Sequence, residues 1–205
     1  MSQKQGTSTT IDHSKHLKAI SQDASKTKAT NIGTITLPNV SLVNEQGTDI
    51  ALFGELIKDK IVVMNTIFTT CTTVCPLMGY QFSRLQKVLQ TQFSKDEIVE
   101  NIVLLSISID PGIDTPQRLA SWKAKFDGDP GWTLLTGSQE NVTKLLKAAG
   151  LFAADPEEHT PMTLVGDADK NQWIRVSGLG TSQQLLQLVN DFYPPKSAKV
   201  SIVKP

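Results

Sequence analysis

The apolar positions of the chain change period along its length, and the changes mark out elements. Residues 61–68, read Ile-Val-Val-Met-Asn-Thr-Ile-Phe, and 102–109, read Ile-Val-Leu-Leu-Ser-Ile-Ser-Ile, are near-continuous apolar runs. That is the pattern of central parallel strands, covered on both faces. Between them Leu77, Tyr80, Leu85, Val88 and Leu89 recur at roughly helical spacing and predict a helix over 76–93. A second helix is predicted over 115–126, opened by Thr115-Pro116, an N-cap followed by proline at the first helical position. Downstream, a strand over 132–135, a helix over 138–149, a hairpin of 162–165 with 173–176 and a closing helix over 181–192 complete the pattern. Upstream, 35–43 is broken by Pro38 and followed by the turn residues Asn44-Glu45-Gln46-Gly47, which suggests a short hairpin or paired edge strands. Residues 49–58 are expected to form a short connecting helix. The order β-α-β-α followed by β-α-β-β-α is that of an α/β domain over 31–193, with a central mixed β-sheet flanked by helices.

Outside that domain the pattern fades. Residues 1–30 are rich in Ser, Thr, Lys, Gln and Asp and carry few large apolar side chains. They bury too little surface to offset the cost of ordering, so a lead-in is expected there. His13 and His16, spaced i, i+3 within it, are expected to be a solvated pair. Tyr193-Pro194-Pro195 stops the last helix and leaves a tail over 194–205. Trp122, Trp132 and Trp173 are expected to serve packing rather than docking.

Composition narrows the function. The 205 residues balance 20 Lys plus Arg against 20 Asp plus Glu, which argues against nucleic acid as the main partner. Two cysteines make neither a disulfide-rich scaffold nor a four-cysteine zinc site, but they suffice for one reactive pair. No stretch approaches the roughly 18 uninterrupted apolar residues of a membrane helix, and 1–10 has no apolar core of a secretory signal.

The cysteines sit in Phe68-Thr69-Thr70-Cys71-Thr72-Thr73-Val74-Cys75-Pro76, at the carboxyl end of a predicted parallel strand where a helix begins. Ligands and reactive groups collect at this edge of open α/β sheets. The helix start also favours thiolate over thiol. Three intervening residues let the sulfurs meet as a disulfide or around one soft metal ion; two buried structural cysteines are the plainer alternative. The Cys-x-x-x-Cys loop is wider than Cys-x-x-Cys, which relaxes the geometry towards metal. Two thiolates suit Cu(I) or Cu(II), and one imidazole would complete a copper site. His159, in the loop before the 162–165 strand, is the one histidine inside the predicted domain. Met162 offers a thioether, but a strand methionine is expected to be core.

Three ordered motifs carry a family resemblance over residues 33–193. Cys71-Thr72-Thr73-Val74-Cys75-Pro76 matches the Cys-x-x-x-Cys-Pro motif of the Sco (SenC) copper-chaperone family. The segment from Ser108 through Asp110-Pro111 to Asp114-Thr115-Pro116 is similar to that family's Asp-Pro-x-x-Asp-Thr-Pro segment, and His159 matches its distal copper-ligand histidine. The resemblance implies a thioredoxin-like fold, membrane-tethered and facing the periplasm or the mitochondrial intermembrane space. Residues 1–30 would then follow a removed anchor. It implies copper held by Cys71, Cys75 and His159, and help in assembling the binuclear copper centre of cytochrome c oxidase. Subunit II of that oxidase is the expected acceptor, with other copper chaperones or thiol–disulfide reductases as further partners. Asp110 and Asp114 would shape the loop beside the site, unless Asp114 simply caps the helix at 115–116.

Two departures bear on this. Glu158 stands where the family often has Asp before the ligand histidine. Thr160-Pro161-Met162-Thr163 resembles the thioredoxin segment in which a cis-proline precedes the strand facing the cysteines. The second departure favours thiol–disulfide exchange, with Cys71 attacking and Cys75 resolving. Two functions are therefore expected: a copper-binding assembly factor, which is not strictly an enzyme, or a reductase keeping a partner's copper-ligand cysteines reduced. A peroxide-directed or redox-sensing role is third, without a separate peroxidatic motif.

Overall fold

The chain is described by a computed structural model over residues 27–154 and 160–195. Its centre is a pair of wholly buried parallel strands, β4 (Ile61–Ile67) and β5 (Ile102–Ser108), in register from Ile61 opposite Ile102 to Ile67 opposite Ser108. Both are the continuous apolar runs of the sequence, and both lack a solvent face as such runs require. β6 (Trp132–Thr136) extends the parallel set beyond β5. On the other side β7 (Met162–Asp167) pairs antiparallel with β4, and β8 (Gln172–Ser177) with β7.

The edges hold strands that the sequence pattern places less well. β1 (Lys28–Thr34) pairs antiparallel with β8, so pairing begins within the last residues of the compositional lead-in. Its side chains are mostly exposed, which is why hydropathy does not reveal it. β2 (Ser41–Asn44) and β3 (Asp49–Ala51) form the expected hairpin, closed by Asn44, whose side chain accepts from the N–H groups of Gln46 and Thr48. Residues 49–51 are the returning strand of that hairpin and not the start of a helix. What remains of the expected helix is one π-helical turn, Leu52–Ile57. The full sheet runs β1-β8-β7-β4-β5-β6-β2-β3.

Helix α1 (Cys75–Gln92) follows β4, and α3 (Pro116–Ala124) follows β5. Right-handed crossovers between successive parallel strands bring both to one face of the sheet. There the missing Cβ of Gly79 in α1 makes room for Trp122 and Phe126, whose ring atoms lie 2.8 and 2.7 Å from where that Cβ would stand. Between α1 and β5 lies α2 (Lys95–Asn101), started by a capping box in which Ser94 and Glu97 satisfy each other's backbone N–H groups. α4 (Gln139–Ala149) and α5 (Ser182–Phe192) open on Ser138 and Thr181, each accepting from a backbone N–H as N-cap. α5 packs on α1 and against β7. All three tryptophans are core, between 0 and 2% exposed.

Candidate functional site

β4 delivers the chain to Thr69 and Thr70, a turn follows, and α1 starts at Cys75. Pro76 is the second residue of α1, where the absent N–H costs no helical bond. The turn closes through the Cys71 N–H, which donates to the Phe68 carbonyl at 3.2 Å. It returns Cys71 over the helix start, so that the Cys75 N–H points at the Cys71 sulfur at 3.4 Å. The Thr73 hydroxyl lies 3.7 Å from the same sulfur. Both cysteines are free thiols, and they differ sharply: Cys75 is wholly buried, Cys71 only half.

Environment separates their acidities. For Cys71, partial burial works to raise the thiol pKa, but the Cys75 N–H and side chain, with Thr73, outweigh it and hold the group below its ordinary value. Burial dominates at Cys75 and pushes its thiol far up; the adjacent Cys71 sulfur and the charge of Asp114 push the same way. One thiol is thus half-buried and ionises more readily than an ordinary cysteine, while the other is sheltered and ionises less readily.

Asp114 holds this turn from beneath. It is wholly buried, and its carboxylate accepts from the Thr69 N–H at 3.1 and 3.2 Å, from the Thr69 hydroxyl, and from the Ser108 hydroxyl at 2.7 Å. The helix after it is capped instead by Thr115, whose hydroxyl accepts from the Arg118 N–H. So Asp114 ties the end of β4 to the end of β5. Asp110 contributes backbone: its carbonyl accepts from the Ile113 and Asp114 N–H groups, and its own N–H donates to Ser108. Arg118 reaches back to the Thr69 hydroxyl at 3.1 Å. Thr69, Ser108 and Arg118 are supports that the motif reading does not single out.

His159 lies outside the described residues, as do Glu158, His13 and His16. Among the described residues no group of three or more His, Cys, Asp or Glu forms a metal-binding cluster. Thr160 and Pro161 are described, and no peptide bond in the described chain is cis. The expected thioredoxin-like cis-proline is therefore corrected. Pro161 continues the β7–β8 ladder, its carbonyl accepting from the Gly178 N–H at 2.9 Å. Beside Cys71 a cavity of about 420 Å³ opens between α1 and α3, lined by Thr69, Pro76, Tyr80, Trp122 and Phe126 among others. A second, of about 460 Å³, lies at Glu45, Lys123 and Trp132 and contains no cysteine.

A mixed α/β sheet flanked by helices, with a cysteine pair where a central parallel strand meets its helix, defines a thioredoxin-like domain of the thiol-bearing kind. Residues 34–170 match the SCO1/SenC family model, and the chain belongs to that family. The Bacillus subtilis SCO1 protein homolog is 32% identical over 117 residues, 56% of each chain. The chain spans little more than half the length of the curated relatives it matches. A SCO1/SenC family lipoprotein from Bacillus anthracis has the same fold at TM-score 0.64 and 25% identity, over 81% of this chain and 97% of the other. BsSco, in which a disulfide switch was identified, matches at TM-score 0.65 and 22% identity, over 79% of this chain and 95% of its own. Arabidopsis thaliana ScoI, solved with copper bound, shares the fold at TM-score 0.57 and 18% identity, over 78% and 98% of the two chains.

Proposed function

We propose that the chain is a copper-binding assembly factor, with copper as its cargo and Cys71, Cys75 and His159 as the ligands. The observation that carries this reading is the turn that brings the Cys75 N–H to the Cys71 sulfur, in a family with copper-bound members. Two sulfurs on one short loop form a soft donor set that prefers copper over hard cations, and an imidazole fits the same preference. BsSco belongs to a family of cytochrome c oxidase assembly proteins, which supports that oxidase as the acceptor, and within it subunit II is the acceptor proposed. The lipoprotein relative supports a membrane-anchored domain outside the cytoplasm, with the residues before β1 as the lead-in from its anchor. No helix among the described residues is long and apolar enough to cross a membrane.

The test is a copper titration of the reduced chain, followed by thiolate-to-copper absorption. One equivalent binds; Cys71→Ser and Cys75→Ser abolish the absorption, and His159→Ala weakens affinity and shifts the band. An unchanged His159→Ala titration overturns the three-ligand set.

The thiol asymmetry favours a second use of the same pair. The Cys71 thiolate attacks a partner's disulfide and forms a mixed disulfide, releasing one partner thiolate. Cys75, once deprotonated, displaces the second, leaving a Cys71–Cys75 disulfide and a reduced partner dithiol. Exchange would survive His159→Ala and fail in Cys71→Ser.

A further inference from the structure

The cavity beside Cys71 joins an apolar lining to a charged rim. Its floor is aromatic: Trp122 from α3, Phe126 just beyond it and Tyr80 from α1, with Pro76 beside the thiol. The Trp122 and Phe126 rings are fixed in place by packing onto α1 at Gly79, where a side chain would clash with them. Its rim is basic. Lys87 and Lys125 are exposed and line the opening opposite one acidic residue, Asp127. Arg118 stands in the adjoining depression with Thr69, Trp122 and Lys125. In a chain with equal numbers of acidic and basic residues, this is a local excess of positive charge around an apolar trough. The trough ends on the half-buried Cys71 thiol.

We propose that this groove docks an acidic segment of a partner polypeptide, one that carries an aromatic or large apolar side chain between carboxylates. The apolar side chain lies against the half-buried Phe126, Tyr80 and Pro76, with buried Trp122 behind them, and removing it from water gives affinity. The flanking carboxylates meet Lys87, Lys125 and Arg118, which steer approach and fix direction. A segment held there runs towards Cys71, so its neighbouring residues arrive at the sulfur. The proposal rests on the copper-transfer reading only for its purpose; apart from Cys71 at its end, the groove is built of residues outside the proposed ligand set.

The test uses the reduced, metal-free full chain, isotopically labelled, and two synthetic octapeptides without cysteine. One has a single Phe flanked by Asp and Glu; the other has Lys in place of each acid. The acidic peptide should bind at least about tenfold more tightly at low salt and lose most of that advantage at high salt. Its amide-shift footprint should fall on residues 80–87 and 122–127. The double variant Lys87→Glu/Lys125→Glu should reverse the order of the peptides. Equal binding of the two peptides, a footprint on the exposed Ile113 loop instead, or indifference to the double variant overturns the proposal. Copper titration of that variant separates the two readings: wild-type copper binding with lost peptide preference supports the groove. A wild-type chain that binds peptide but no copper refutes the copper reading alone.

Discussion

Asp114 is the residue on which the site geometry depends most. A buried carboxylate is tolerable because three donors surround it, and those donors become the liability when it is removed. Asp114→Ala leaves the Thr69 N–H and the Thr69 and Ser108 hydroxyls without their acceptor, at a cost of about 2–4 kcal/mol. Urea unfolding should register that loss, and iodoacetamide labelling of Cys71 should change rate as the turn loosens. Thr69→Val, which deletes one hydroxyl donor, should cost less. Part of this was legible in the sequence: Cys71, Cys75 and the Asp110–Asp114 segment stand in recognisable motifs. The direction of the Asp114 side chain was not, because a residue preceding Thr-Pro reads equally well as a cap. Only the spatial neighbourhood of Thr69, 45 residues away, decides it.

At the scale of elements, α1 is both the platform for Cys75 and the wall of the groove. Gly79 lies inside it, where glycine usually weakens a helix by about 1 kcal/mol relative to alanine. Here the balance reverses. An added methyl would meet Phe126 and Trp122 at 2.7 and 2.8 Å, and overpacking of that kind costs about 1–3 kcal/mol. Gly79→Ala should therefore lower stability by about 1 kcal/mol net despite its better helix propensity, as read by chemical denaturation. The long elements were legible because burial dictates their patterns: 61–68 and 102–109 are near-continuous apolar runs, and α3, α4 and α5 carry their caps Thr115, Ser138 and Thr181 in plain sight. Short, exposed or edge elements were not. β1 hides in a polar stretch, and β3 is three residues of a hairpin whose turn chemistry outcompetes the helical spacing of 49–58. α2 did leave a signal, Ser94 followed three residues later by Glu97, which a search for capping boxes would have found.

Across the whole molecule, one buried ion pair joins the β2–β3 turn to α3 and β6. Lys123 Nζ donates to Glu45 Oε1 at 2.8 Å and to the Trp132 carbonyl, while Glu45 Oε2 accepts from the Leu134 N–H at 3.0 Å. Burial alone would raise the Glu45 pKa, but Lys123 and the backbone donors outweigh it and hold the carboxyl below 4.5. A carboxyl depressed in the folded state releases its proton more readily there than in the unfolded chain. Its stabilisation is therefore complete above about pH 4.5 and is lost as pH falls through the folded value. Urea unfolding at neutral pH and near pH 4 should show a smaller acid loss for Glu45→Gln than for wild type. Lys123→Met, which strands a buried carboxylate, should cost about 3–5 kcal/mol at neutral pH. The same rigid frame holds β4, β5 and α1 in place, and so the cysteine pair. In the proposed function this pair, with His159, takes up copper. X-ray absorption at the copper edge of the loaded full chain tests it most directly. Two sulfurs and one imidazole nitrogen should surround the metal, with the imidazole lost in His159→Ala. A coordination sphere without sulfur, or one that His159→Ala leaves unchanged, would contradict it.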